Sequence, residues 1–189
     1  SVPKSAKPKV ELFAMTYCPY GLQAEKALIP AIQTLGNKVD ASIRFVHYFM
    51  HGDKETAETY NQVCIREEQS AKYLDYLSCF SEDGARARCI TKVGVDKTKL
   101  DSCVATKAKD YYAKDSALSQ GYGVQGSPTL IINGVEASFD RSSAGALSAI
   151  CSAFTSAPAE CSTKLSSAPA SSGFGGVKGG ETATDASCG

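Results

Sequence analysis

Cys18 is followed by Pro19, Tyr20 and Gly21, and much later Gly126-Ser127-Pro128-Thr129 leads into a short apolar run. Cys18 stands where an apolar run at residues 10–15 gives way to a helical pattern, so the sequence places its sulfur at a helix start. Unpaired backbone N–H groups and the positive end of the helix dipole favour a thiolate there. The thiolate is the form that attacks disulfides. Pro19 suits the first helical turn, where its missing N–H costs nothing, and Tyr20 offers an aromatic wall beside the sulfur. The chemistry such residues serve is thiol–disulfide exchange. A second thiol one turn on would complete a Cys-x-x-Cys pair, but position 21 is glycine and that motif occurs nowhere in the chain.

Eight cysteines stand in 189 residues: Cys18, Cys64, Cys79, Cys89, Cys103, Cys151, Cys161 and Cys188. The two histidines, His47 and His51, are far in sequence from all of them, and no Cys/His cluster has zinc spacing. No metal site and no bound cofactor is implied, and disulfides are the better reading. Disulfides point to an oxidising, extracytoplasmic compartment (secreted, periplasmic or cell-surface), against the competing reading of free thiols in a cytosolic protein. Eight cysteines allow about 105 full pairings. Cys64, Cys79, Cys89 and Cys103 fall roughly one to a helix, and antiparallel helix order suggests nesting Cys64 with Cys103 and Cys79 with Cys89. Cys151 and Cys161 bracket a loop that a disulfide could close. Cys18 and Cys188 then remain. Cys188 is a candidate resolving thiol for Cys18, with an accidental tail thiol as the alternative.

The 20 basic and 20 acidic side chains cancel. That leaves no electrostatic case for nucleic acid or an anionic membrane surface. No apolar run approaches the roughly 20 residues that span a bilayer.

The elements that must position these residues follow from periodicity. Residues 10–15 form a buried strand, and a helix runs over 19–35 with Leu22, Leu28, Ile29, Ile32 and Leu35 on one face. Pro30 should kink it and Gly36-Asn37 should end it. Residues 43–49, which include His47, form a second strand. Helical stretches follow at 56–70, 71–80, 84–93 and 97–109, with Asp96 as an N-cap. Tyr60, Tyr73, Tyr76, Tyr111 and Tyr112 read as packing residues on or between helices. A strand at 129–132 ends in Asn133-Gly134, a hairpin signal, and its partner covers 135–139. A last helix opens at Asp140-Arg141-Ser142 and runs to about Phe154. From Ser166 on, the Ser/Ala/Gly-rich tail should be disordered by itself.

The order is β-α-β, helical insertion, β-β-α. With Cys-Pro-Tyr at the first helix and Ser127-Pro128 before a later strand, the chain resembles DsbA-like thioredoxin-fold oxidoreductases over roughly residues 9–155. The cysteine-rich insert also resembles that of the GILT-type lysosomal thiol reductases. The DsbA resemblance implies an α/β fold, thioredoxin-like, with an inserted disulfide-linked all-α subdomain. The layout is a leader at 1–9, a thioredoxin-like domain at 10–52 and 120–155, a helical insertion at 53–119 and a low-complexity tail at 156–189. It implies Cys18 as the catalytic thiol. Pro19, Tyr20, Ser127 and Pro128 would be substrate-binding residues, with a cis Ser127–Pro128 bond, and protein or peptide thiols and disulfides would be the partners.

Gly21 departs from the family's dithiol pattern, so the site would work through one cysteine as an isomerase, a reductase or a mixed-disulfide former. Two other readings stand beside it. One is a redox-inactive scaffold in an extracellular assembly, with self-association through the tail or a Cys18–Cys188 lock. The other is a chaperone that uses the Ser127-Pro128 groove without turnover.

Overall fold

A computed structural model describes residues 1–176 and Cys188. At its centre is strand β1 (Lys9–Ala14), buried from Val10 onward. It pairs in parallel with β2 (Asp40–Phe45) and antiparallel with β3 (Thr129–Ile132), which pairs in turn with β4 (Val135–Ala137). The sheet order is β2-β1-β3-β4. A parallel neighbour needs a crossover, and helix α1 (Pro19–Leu35) supplies it. The β3–β4 turn is made by Asn133 and Gly134 at φ 49° and 82°, the left-handed conformations that an Asn-Gly hairpin requires.

The second strand begins earlier and ends earlier than the sequence suggests. Its register with β1 runs from Lys9 opposite Asp40 to Ala14 opposite Phe45. Beyond that β1 has little ladder to offer, because the Met15 N–H donates to Ser127 Oγ at 2.9 Å. Val46 N still donates to Ala14 O at 3.1 Å. His47, expected in a strand, instead lies in the connection that follows, and its Nδ1 is 2.8 Å from Ser119 Oγ.

Between β2 and β3 run five helices rather than the four expected: α2 (Asp53–Glu68), α3 (Tyr73–Asp83), α4 (Arg86–Val93), α5 (Lys97–Thr106) and α6 (Ala108–Gly121). Disulfides join Cys64 on α2 to Cys103 on α5 and Cys79 on α3 to Cys89 on α4. The Asp96 side chain caps α5, accepting from Lys99 N at 3.0 Å. Helix α7 (Ser143–Cys151) is capped by Ser142, whose Oγ accepts from Gly145 N at 2.9 Å. It packs on α1, and the Cys151–Cys161 bridge closes the loop after it.

One continuous core joins Val10, Leu12, Leu130 and Ile132 of the sheet, Leu22 and Leu28 of α1, and Val63, Tyr76, Leu77 and Phe80 of the helical stretch. Side chains alternate across strands, and Phe13 and Ile131 belong to a second cluster with Met15, Cys18, Val46, Val124 and Cys188. A buried ion network also ties the helices to the sheet. Asp115 of α6 receives Arg66 Nη1 and Nη2 at 2.7 and 2.9 Å, Arg44 Nη1 at 2.9 Å and the Phe45 N–H at 3.1 Å.

The tail, which should be disordered by itself, is tied down along its described residues. Ser166 O accepts from Ala144 N at 2.9 Å and Ala170 N donates to Arg141 O at 2.7 Å. The Lys26 ammonium donates to Ser171 Oγ, Gly173 O and Gly175 O, and Phe174 packs edge-on against Phe80 and Tyr17. Residues 166–176 therefore dock on their own chain, on a lysine and a pair of aromatic rings that composition does not reveal. No helix among the described residues is long and apolar enough to cross a membrane.

Candidate active site

Cys18 is the N-cap of α1, in extended backbone with Pro19 as the first helical residue. Its Sγ accepts from the Gly21 N–H at 3.3 Å, so one of the helix's unpaired donors already points at the sulfur. The Ser127–Pro128 bond is cis, and Ser127 O lies 3.4 Å from Cys18 Sγ. In the disulfide this is a contact, because the sulfur carries no proton. In the thiol, S–H could donate along the same line. The Ser127 side chain anchors the loop to the end of β1 through Met15 N.

Cys18 is bonded to Cys188, a sequence separation of 170. The backbone joins them too: Ser127 N donates to Cys188 O at 3.0 Å. The two cysteines are 0% and 6% exposed, among Phe13, Met15, Val46, Val124 and Ile131. The structure thus brings Cys18, Ser127, Pro128 and Cys188 together. Pro19 contributes its carbonyl, which accepts from Gly173 N at 2.9 Å. Tyr20 is 45% exposed and flanks the site as a surface ring. The other six cysteines are all in disulfides away from this centre.

Glu55 braces the turn that carries Cys18, and sequence reasoning passed it over. This buried carboxylate sits in the first turn of α2. It accepts from Tyr17 N at 3.2 Å, Met50 N at 3.0 Å, His51 N at 3.3 Å and His51 Nδ1 at 2.6 Å. The spacing of His51 and Glu55 by four residues was the available signal. Tyr17, just before Cys18, is held between Phe80 and Phe174 with the Lys54 ammonium 4.6 Å from its ring centre. Burial raises its phenol pKa above the ordinary value. Within α1, burial and then the nearby Glu58 carboxylate push Glu25 up to about 8. No group of three or more metal-ligating side chains occurs among the described residues.

Solved structures share this architecture. DsbA of Mycobacterium tuberculosis, in its reduced form, superposes at a TM-score of 0.64 with 19% identity, over 84% of this chain and 93% of that one. MdbA, a thiol-disulfide oxidoreductase from Actinomyces oris, gives 0.62 at 13% identity over 80% and 84%. Oxidised BdbD of Bacillus subtilis gives 0.58 at 18% identity over 72% and 82%.

The chain has a DsbA-like thioredoxin fold.

No family model matches the sequence, and no curated protein does. In this DsbA-like frame, Cys18 at the start of α1 faces the cis-proline loop, and the glycine at position 21 leaves α1 with a single sulfur at its first turn.

Proposed function

We propose that this protein is an extracytoplasmic thiol–disulfide exchange protein that acts on protein or peptide thiols and disulfides through Cys18. The observation that carries the reading is the Cys18 sulfur itself. It caps α1, receives the Gly21 N–H at 3.3 Å and lies 3.4 Å from the Ser127 carbonyl of the cis-proline loop. A helix N-terminus stabilises negative charge on sulfur, which makes Cys18 a better nucleophile near neutral pH and a better leaving group. Pro19, Tyr20, Ser127 and Pro128 frame the sulfur and are the residues a substrate would meet. The extracytoplasmic assignment is supported by pairing of all eight cysteines, since disulfides persist where glutathione and thioredoxin do not reduce them.

The test is catalysed reduction or reshuffling of a disulfide-bonded protein substrate. Cys18→Ser is expected to abolish turnover while the thermal transition stays cooperative. Turnover equal to that of the wild type in this variant would refute the assignment.

A further inference from the structure

We propose that Cys188 supplies the second sulfur of this site, so that Cys18 and Cys188 form one redox pair and the Cys18–Cys188 disulfide is its oxidised state. The proposal rests on the reading of Cys18 as the exchanging thiol and names the group that resolves its mixed disulfide.

Three observations carry it. First, the place on α1 where a second cysteine would stand is closed. A Cβ added to Gly21 would lie 2.9 Å from Ser127 Oγ, 3.2 Å from Met15 O and 3.3 Å from Ala14 Cβ. Ser127 Oγ cannot simply retreat, because it holds the Met15 N–H at 2.9 Å. The Ser127 side chain of the cis-proline loop and the end of β1 stand in that space, and the site is built around glycine.

Second, Cys188 is seated by more than its sulfur. Its carbonyl accepts the Ser127 N–H at 3.0 Å, and its side chain is buried in the apolar cluster that holds Cys18. A backbone bond at the residue before Pro128 and a sulfur on Cys18 hold Cys188 at two points. Both attachments come from within the same chain and place its sulfur on the sulfur at the N-cap of α1.

Third, the remaining bridges have sequence separations of 39, 10 and 10 and join neighbouring helices or close a short loop. The 170-residue pair alone runs through the N-cap of α1.

The electron balance follows directly. In the reduced protein the Cys18 thiolate attacks one sulfur of a substrate disulfide. A Cys18–substrate bond forms, the substrate S–S bond breaks, and the other substrate sulfur leaves as a thiolate. The Cys188 thiolate then attacks Cys18 Sγ, and the second substrate sulfur leaves as a thiolate while the Cys18–Cys188 bond forms. The substrate disulfide is reduced by two electrons and the protein dithiol is oxidised by two. Because Cys188 is tethered, the second step is intramolecular, and an effective-concentration advantage on the order of a hundredfold or more is expected over a free thiol.

The experiment is a single turnover of the full chain, mildly reduced so that only the Cys18–Cys188 bridge is open, with oxidised glutathione as the probe. Wild type should release both glutathione halves and return to the Cys18–Cys188 disulfide. Cys188→Ser should release one half and keep the other on Cys18, with an adduct lifetime longer by on the order of a hundredfold. Release of both halves by Cys188→Ser at the wild-type rate would overturn the proposal and leave Cys18 as a monothiol. Failure of Cys18 itself to form an adduct would instead sink the functional reading on which it rests. A second measurement needs no variant. In a series of glutathione redox buffers, Cys18 and Cys188 of the wild type should become alkylatable together, with one two-electron midpoint. Separate midpoints would overturn the pairing.

Discussion

At the scale of single residues, the site is decided by what stands at position 21. Glycine there admits the Ser127 hydroxyl, and Ser127 in turn fixes the end of β1. Gly21→Cys restores the sequence pattern of a dithiol enzyme but drives a side chain into Ser127 Oγ and Met15 O. Overpacking of this kind costs about 1–3 kcal/mol. Urea unfolding of the variant is expected to show that loss, and an unchanged midpoint would mean the close approach is not present in solution. Glu25 gives a second residue-scale prediction. Burial holds its folded pKa at about 8 against an ordinary 4.5. Between those values the unfolded chain has released the proton that the folded chain still binds, so stability falls as pH rises from about 4.5 to about 8. Glu58, Lys26 and Tyr73 are the ionisable groups that feel this carboxyl. Glu25→Gln should flatten that slope and be more stable than wild type at pH near 8, with little difference near pH 4. An identical slope in both proteins would contradict the assignment.

At the scale of elements, the parts set by local periodicity, turn and capping residues were legible, and the parts held by polar contacts between residues distant in sequence were not. The strand–helix junction at Cys18, the Asn133-Gly134 hairpin, the Asp96 cap and the helix opening at Asp140-Arg141-Ser142 are local signals, and each is where its residues put it. Helix α6 was obscured because the residues it buries are Ala108, Asp115 and Ser119. Asp115 lies inside because Arg44 and Arg66 meet it there, and neither arginine is near it in sequence. Glu55 was missed for a related reason. It looks like an ordinary acidic residue in a first helical turn, yet it is buried and gathers donors from the loop before α2 and from Tyr17. Losing that acceptor leaves several partly buried donors unpaired, so Glu55→Ala should cost about 1 kcal/mol or more and slow exchange at Cys18 by loosening its turn. A variant that is destabilised but exchanges at the wild-type rate would show that Glu55 is structural only. The disulfides of the helical stretch differ by loop length. Removing Cys64–Cys103, with separation 39, should cost about 1 kcal/mol more than removing Cys79–Cys89, with separation 10, on the loop-entropy account. Paired Cys→Ala variants compared by urea midpoint test that ordering, and the reverse order would contradict it.

At the scale of the whole molecule, a DsbA-like sheet and the helix capped by Cys18 are combined with a C-terminal stretch that returns to Cys18. Cysteine pairing by elimination left Cys188 for Cys18, as the bridge has it, whereas the low-complexity composition concealed the other attachments: Lys26 holding Ser171, Gly173 and Gly175, and Phe174 against Tyr17 and Phe80. Each attachment lies close to the start of α1 or along it, so the tail and the Cys18 sulfur are parts of one arrangement. The account depends on Cys18 being an activated thiol once that bridge is open. The most direct measurement is the pH dependence of Cys18 alkylation by iodoacetamide in mildly reduced, natively folded protein, read by peptide mass mapping. Cys18 is expected to react rapidly at mildly acidic pH, where an ordinary thiol, titrating near about 8.5, is almost entirely protonated. A reaction that begins only in that ordinary range, and ends there with the same rate as an unfolded control, would contradict the central claim.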